Sequence, residues 1–170
     1  MAIIKHDKPW GPFLIKAAVI LIIVASFFAW VQGRYLIGVD AQLVRCLPDH
    51  KYFLVDLTKP APMKNQIMAF HSEGLEPIFE NGTMLAKVVR GIPGDHLVVD
   101  EEGVHINGTL IAEGFPIIDR TGLELKTLFK DEIIPVGKYL MLAPAPESYD
   151  GRYWGYVAAS QFAGKVTPLI

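Results

Sequence analysis

Ser148-Tyr149-Asp150-Gly151-Arg152-Tyr153-Trp154-Gly155 and Lys87-Val88-Val89-Arg90-Gly91-Ile92-Pro93-Gly94-Asp95 are the two segments from which this 170-residue chain is best read. In the first, a hydroxyl, a carboxylate and a guanidinium alternate among aromatic residues and glycines. Residues two apart on an extended segment share a face, so Asp150 and Arg152 are expected to pair, with Ser148 on the same side. The second segment closes on a Pro-Gly-Asp turn. It opens with Lys87 inside Met84-Leu85-Ala86-Lys87-Val88-Val89, an apolar strand context that strips water from an ammonium. Burial disfavours the charged form of a lysine, and a lysine so placed can act as a general base near neutral pH. Taken singly, each segment has a plainer reading. Lys87 suits the solvent face of an edge strand, and an Asp–Arg pair on a surface turn is worth little.

Outward from these segments, the chain begins with a different pattern. Phe13 to Val31 is apolar except for Lys16 and Ser26, the roughly 20 residues that a helix needs to cross a hydrocarbon layer. Trp10, Trp30 and Tyr35 suit the interfaces, and Lys16 can reach the headgroups. Lys5, Lys8 and Lys16 outnumber Arg34 and Arg45 in the flanks, which predicts the N-terminus inside and the bulk of the chain outside. A cleaved secretory leader is the competing reading of the same segment. Both export the remainder. The expected division is residues 1–34 as cytoplasmic N-terminus and transmembrane anchor, and 35–170 as one periplasmic β domain at the inner (cytoplasmic) membrane.

Beyond Gly33 short strand-like runs are broken by Gly, Pro and Asp. Strands are expected at residues 52–57, 66–71, 84–89, 96–99, 104–106, 110–112, 139–143, 154–157 and 164–169. Asn107-Gly108 between two of them is a type I′ hairpin signal. Asn81-Gly82-Thr83 and Asn107-Gly108-Thr109 have the form of glycosylation sequons but read better as turns, since Asn-Gly supplies positive φ. No long segment past the apolar run has helical periodicity, so the fold class expected is all-β, built of small coiled sheets.

Charge and composition narrow the function. A net charge of −2 with no basic stripe gives no reason to invoke nucleic acid. The five histidines show no metal spacing with each other or with the single cysteine, Cys46, which also excludes an intrachain disulfide. No metal and no organic cofactor is implied.

Together the two segments resemble signature boxes of the type I signal peptidases, the membrane-bound Ser/Lys endopeptidases: a lysine four residues before Gly-x-Pro-Gly-Asp, and Ser-x-Asp-x-Arg followed by two aromatics and Gly. The wording Ser-Tyr-Asp-Gly-Arg-Tyr-Trp-Gly, the short chain, and Ala143-Pro144-Ala145-Pro146-Glu147 in place of a Gly-Asp-Asn are closer to the plasmid conjugation peptidases of the TraF type. The resemblance covers most of residues 10–170. It implies a signal-peptidase-like β domain behind one transmembrane helix, Lys87 as general base, and Ser148 and Arg152 supporting it. Asp150 belongs to the same supporting set and is itself counted as essential in the pilin-processing relatives. The implied partners are a propilin or other preprotein, the inner membrane, and components of a conjugative secretion system.

The chain departs from the family at the nucleophile. Where the boxes call for Ser-x-Pro soon after the helix, it reads Cys46-Leu47-Pro48. Beside Lys87 a cysteine, whose free thiol titrates near about 8.5, could rest as a thiolate–ammonium pair. It is the stronger intrinsic nucleophile, and its acyl-enzyme is a thioester, which favours amines over water. Val44 offers no hydroxyl, so an oxyanion must rely on backbone N–H groups, chiefly that of Cys46. These features suit the pilin-processing relatives, which join a new C-terminus to the pilin's own amine. The competing readings of Cys46 are a small buried apolar residue and an inactive copy kept as a scaffold. Against the pilin reading stand a general type I signal peptidase and a non-catalytic membrane-tethered assembly factor.

Overall fold

An apolar run with one lysine satisfies its backbone most simply as a helix, and the computed structural model has one, α1 (Trp10–Arg34), none of whose residues is buried. The structure describes residues 10–40, 47, 50–58 and 60–169. By internal contacts the chain forms two compact units, 1–35 and 36–170. At 25 residues α1 is about 37 Å long, more than a hydrocarbon layer of about 30 Å. Arg34, in its last turn, lies over the rings of Trp30 and Tyr35, 5.5 and 5.3 Å from their centroids.

The second unit is all-β. In chain order its strands are β1 (Tyr35–Val39), β2 (Tyr52–Asp56), β3 (Ile67–His71), β4 (Met84–Gly91), β5 (His96–Val99), β6 (Gly103–Ile106), β7 (Thr109–Glu113), β8 (Lys130–Ile133), β9 (Lys138–Leu142), β10 (Tyr156–Ala158) and β11 (Phe162–Pro168). Single-turn helices interrupt them at α2 (Ile118–Thr121) and α3 (Gly151–Trp154). A seven-stranded sheet has the order β1-β2-β11-β3-β4-β9-β10, and a four-stranded sheet the order β7-β6-β5-β8. The smaller sheet is an excursion of the chain between the neighbouring strands β4 and β9.

The apolar run of β3 reads as a strand buried on both faces. Met68 and Phe70 join Leu85, Val89, Met141 and Phe162 in one cluster, while Ala69 joins Phe53, Val55, Val88 and Val166 in another. A third cluster combines Leu97, Val99, Val104 and Ile106 of the small sheet with Leu140, Leu142 and Tyr153.

Gly91 is where the chain leaves the large sheet. A Cβ there would lie 2.5 Å from Ile134 Cδ1 and 3.0 Å from Leu140 Cβ, so only glycine fits without a shift. The following turn is closed by Asp95, whose Oδ2 accepts from Ile92 N–H at 3.0 Å and whose Oδ1 accepts from Asn107 Nδ2 at 2.7 Å.

Most expected strands are present within a residue or two, and Asn107 (φ 52) and Gly108 (φ 78) make the β6–β7 turn. Three departures have physical reasons. Residues 154–157 do not start a strand at Trp154, because Asp150 caps a helical turn over Gly151–Trp154 and pairing resumes only at Tyr156. β8, Lys-Asp-Glu-Ile, lies at a sheet edge, where charged side chains are tolerated and apolar alternation is not required. β1 follows α1 directly, so its apolar residues read in sequence as a trailing part of the helix.

Candidate active site

Lys87 sits in the middle of β4, paired with Met68 of β3, and is 1% exposed. Its Nζ donates to Ser148 Oγ at 2.5 Å across 61 residues of sequence. Ser148 is also buried, so the bond lies out of water, where polar contacts are strongest and unmade ones cost most. The structure thus brings together Lys87 and Ser148, which the sequence pairs only through the resemblance.

Asp150 and Arg152 are almost wholly buried, not a surface salt bridge. Arg152 Nε donates to Asp150 Oδ1 at 2.9 Å and its terminal nitrogen to Oδ2 at 3.0 Å, the bidentate fork that a guanidinium offers a carboxylate. Their pairing does not come from a shared strand face. Asp150 is the N-cap of α3 and accepts from Arg152 N–H at 3.1 Å, so one helical turn folds the two side chains together. The remaining partners lie in residues 143–148. Asp150 Oδ2 accepts from Ala143 N–H at 3.0 Å, and Arg152 donates to the carbonyl oxygens of Pro146 at 2.8 Å and of Ala145 and Ser148 at 3.4 Å. The pair therefore grips the loop that presents Ser148. Sequence reasoning missed this grip, although Pro144 and Pro146 hint at it. Proline lacks an N–H and resists joining a ladder, leaving carbonyls of such a loop for other donors.

Tyr149 stacks on Tyr153 at 5.8 Å between centroids, and burial pushes its hydroxyl above the usual range. Tyr153 Oη accepts from Ile117 N–H at 3.2 Å, tying the α3 turn to the segment before α2. In the Gly91–Asp95 turn, burial works against the Asp95 carboxylate. Hydrogen bonds from Ile92 N–H, Lys64 and Asn107 outweigh it and hold the carboxyl below its ordinary value.

A cleft of about 370 Å³ opens beside Lys87, walled by Phe53, Val55, Ala69, Ala86 and Val166. Leu47 also lines it and is 6% exposed; Cys46, the residue before it, and Val44 lie outside the described residues. One edge of the cleft is open backbone. β4 pairs with β3 along Met84–Val88 but with β9 only from Val88 onward, so Met84–Lys87 has no second strand partner among the described residues. Val89 exchanges bonds with the β3 side, donating to Gln66 O at 2.8 Å and accepting from Asn65 N–H at 2.7 Å. By alternation, the N–H and C=O groups of Met84 and Ala86 face the open edge. A larger cavity of about 400 Å³, lined by Phe70, Leu75, Arg120, Tyr149 and Trp154 among others, does not include Lys87. The buried Lys87 lies at the smaller one.

A buried amine held by a hydroxyl, at an apolar cleft with an open strand edge, is equipment for taking an extended polypeptide and moving a proton beside it. The family comparison agrees. The model described as "Signal peptidase, peptidase S26" matches residues 8–170, and the chain belongs to that family of peptide-bond hydrolases. The "Probable signal peptidase I-2" of Synechocystis sp. is 23% identical over 163 residues, 91% of this chain and 69% of that protein. A crystal structure of a signal peptidase I from Enterococcus faecalis V583 is 26% identical and covers 64% of this chain and 98% of its own, with a TM-score of 0.41.

Proposed function

We propose that this protein is a membrane-anchored endopeptidase that cleaves an exported preprotein with Cys46 as nucleophile and Lys87 as general base. The observation that carries this reading is the buried Lys87–Ser148 bond beside the apolar cleft. Leu47, next in the chain to Cys46, lines the same cleft, which supports the assignment of the nucleophile. α1 is the anchor, single-pass in the inner membrane, and the β domain works on the periplasmic side.

In this account the substrate adds as a strand along Met84–Lys87 and fills the cleft with small side chains. Lys87 takes the Cys46 proton, and the thiolate sulfur attacks the scissile carbonyl. The resulting oxyanion accepts from backbone N–H groups, chiefly that of Cys46. Collapse breaks the C–N bond, and the leaving amine takes the proton from Lys87. A thioester remains. Ser148 orients the lysine, while Asp150 and Arg152 act as positioning residues through the 143–148 loop.

Two fates of the thioester define two substrates. Attack by water, again with Lys87 as base, is the reaction of a general signal peptidase, the reading closest to the curated relative. Attack by the amine of the substrate's own N-terminus makes a cyclic product, the reading favoured by the TraF-like box and by a thioester's preference for amines. We favour the second, with a conjugative pilin as substrate. Mass spectrometry of a candidate pilin from cells carrying wild type, Cys46→Ala, Cys46→Ser and Lys87→Ala tests it. The expected product is lighter by one water than the linear cleaved peptide, absent in Cys46→Ala and Lys87→Ala, and replaced by linear peptide in Cys46→Ser. Linear product from wild type, with a panel of exported preproteins cleaved equally well, would assign the general reading. Normal pilin in all four strains would leave only a scaffold role.

A further inference from the structure

We propose that Arg90 forms a carboxylate-binding subsite across Lys87 from the apolar cleft, selecting substrates with an acidic side chain near the scissile bond. This rests on the peptidase reading above and adds a specificity to it. A separate cavity of about 270 Å³ is lined by Leu47, His50, Asn65, Val88, Arg90 and Pro144, with Ile67. Not one of these described lining residues is acidic.

Arg90 is half-buried, and its one hydrogen bond among the described residues runs from Nη1 to Asn65 Oδ1 at 2.8 Å. Asn65 is itself fixed, with φ 66 and its N–H donating to Val89 O at 2.7 Å. A guanidinium carries five N–H donors in a planar fork, so the remaining donors are pre-oriented and available. The neighbouring charge is cancelled, since Lys64 pairs with Asp95 at 2.9 Å. An oriented guanidinium with spare donors, and with no carboxylate beside it among the described residues, is suited to bidentate capture of one. Arg120, by contrast, is exposed and already lies 3.5 Å from Glu147.

The two cavities meet at Leu47, which lines both. Along β4, Ala86 and Lys87 line the cleft, and Val88 and Arg90 line the second cavity. An extended polypeptide lying across Lys87 therefore presents one side of its scissile bond to the apolar cleft and the other to Arg90. At about 3.3 Å per residue, Arg90 lies about three residues beyond Lys87. The acidic residue is thus expected within about four positions of the scissile bond, on the side away from the cleft.

The test uses the full-length protein in detergent micelles and peptides spanning the cleavage site of a preprotein it processes. A single Asp, Asn or Lys is moved through about four positions on each side. Wild type is expected to favour Asp over Lys by about tenfold or more in kcat/KM, at positions on one side only. Arg90→Glu is expected to reverse that ratio and Arg90→Gln to flatten it, with Arg90→Lys retaining part of it. The all-neutral peptide controls for folding and should turn over alike in all four. An Asp-to-Lys ratio unchanged by Arg90→Glu at every position would overturn the subsite while leaving the peptidase reading intact. Failure of wild type to cleave any peptide or any full-length preprotein would overturn both.

Discussion

Lys87 and Ser148, 61 residues apart in sequence, meet at 2.5 Å inside the β domain, and the Asp150–Arg152 pair holds the loop that makes the meeting possible. Each part of that arrangement has a measurable consequence.

Ser148→Ala removes the hydroxyl that accepts from the Lys87 amine at 2.5 Å and is expected to leave the fold intact. On the proposed role of Lys87, a misoriented base loses part of its roughly 10²–10⁴-fold contribution. The expected result is a kcat lower by about 10- to 100-fold with KM nearly unchanged, and a stability loss of about 1–3 kcal/mol for the buried bond left unmade. The same stability loss with kcat unchanged would assign Ser148 a purely structural role.

Asp150→Asn and Arg152→Met each leave one member of a buried ion pair uncompensated. Breaking such a pair from one side costs about 3–5 kcal/mol, read as a shifted urea midpoint. The double variant should lose less than the sum of the two, since neither charge is then stranded. Additive losses would mean that the two side chains act separately.

Gly91→Ala places a Cβ against Ile134 Cδ1 and Leu140 Cβ, and overpacking of this kind costs about 1–3 kcal/mol. Because the Ile134 contact is with the end of its side chain, Ile134→Val should recover part of the loss in the Gly91→Ala background. No recovery would place the strain on the Leu140 side.

Much of this fold is readable from residues alone, and the failures are local. Asn107-Gly108 announces its hairpin because few residues besides Asn and Gly adopt positive φ readily. His96–Val99 carries the β-branched pattern of a strand and has those limits in the structure. Lys130–Ile133 carries no such pattern, because an edge strand is held by backbone bonds and its side chains answer to solvent. The Asp150–Arg152 pairing is legible from spacing, but for a mistaken reason. A two-residue interval fits a strand face and a capped helical turn equally well, and only Gly151, whose Cβ would lie 2.8 Å from Met141 O, forces the tight approach. The hold on the Ala145 and Pro146 carbonyls has no signature beyond Pro144 and Pro146, which resist joining a ladder. Cys46 stands out only through the resemblance, as a cysteine where the boxes call for serine, and it lies outside the described residues.

Asp95 sets an acid limit on the Gly91–Asp95 turn. Its folded value is lowered, so its contribution is complete above the unfolded value of about 3.9 and is lost as pH falls through the lower folded value. Thermal midpoints measured from about pH 5 to about pH 2.5 should fall more steeply for wild type than for Asp95→Asn. Parallel curves would remove the turn from the acid response.

The central claim is that Lys87 delivers a reactive Cys46 to a peptide carbonyl. Acid-quenched intact-mass spectrometry of the full-length protein, mixed with a preprotein in detergent, tests it most directly. The account predicts a hydroxylamine-labile adduct at Cys46 equal in mass to the acyl fragment of the substrate, lost in Cys46→Ala and strongly reduced in Lys87→Ala. Preprotein cleavage at the wild-type rate by Cys46→Ala, with no adduct on any form, would contradict it.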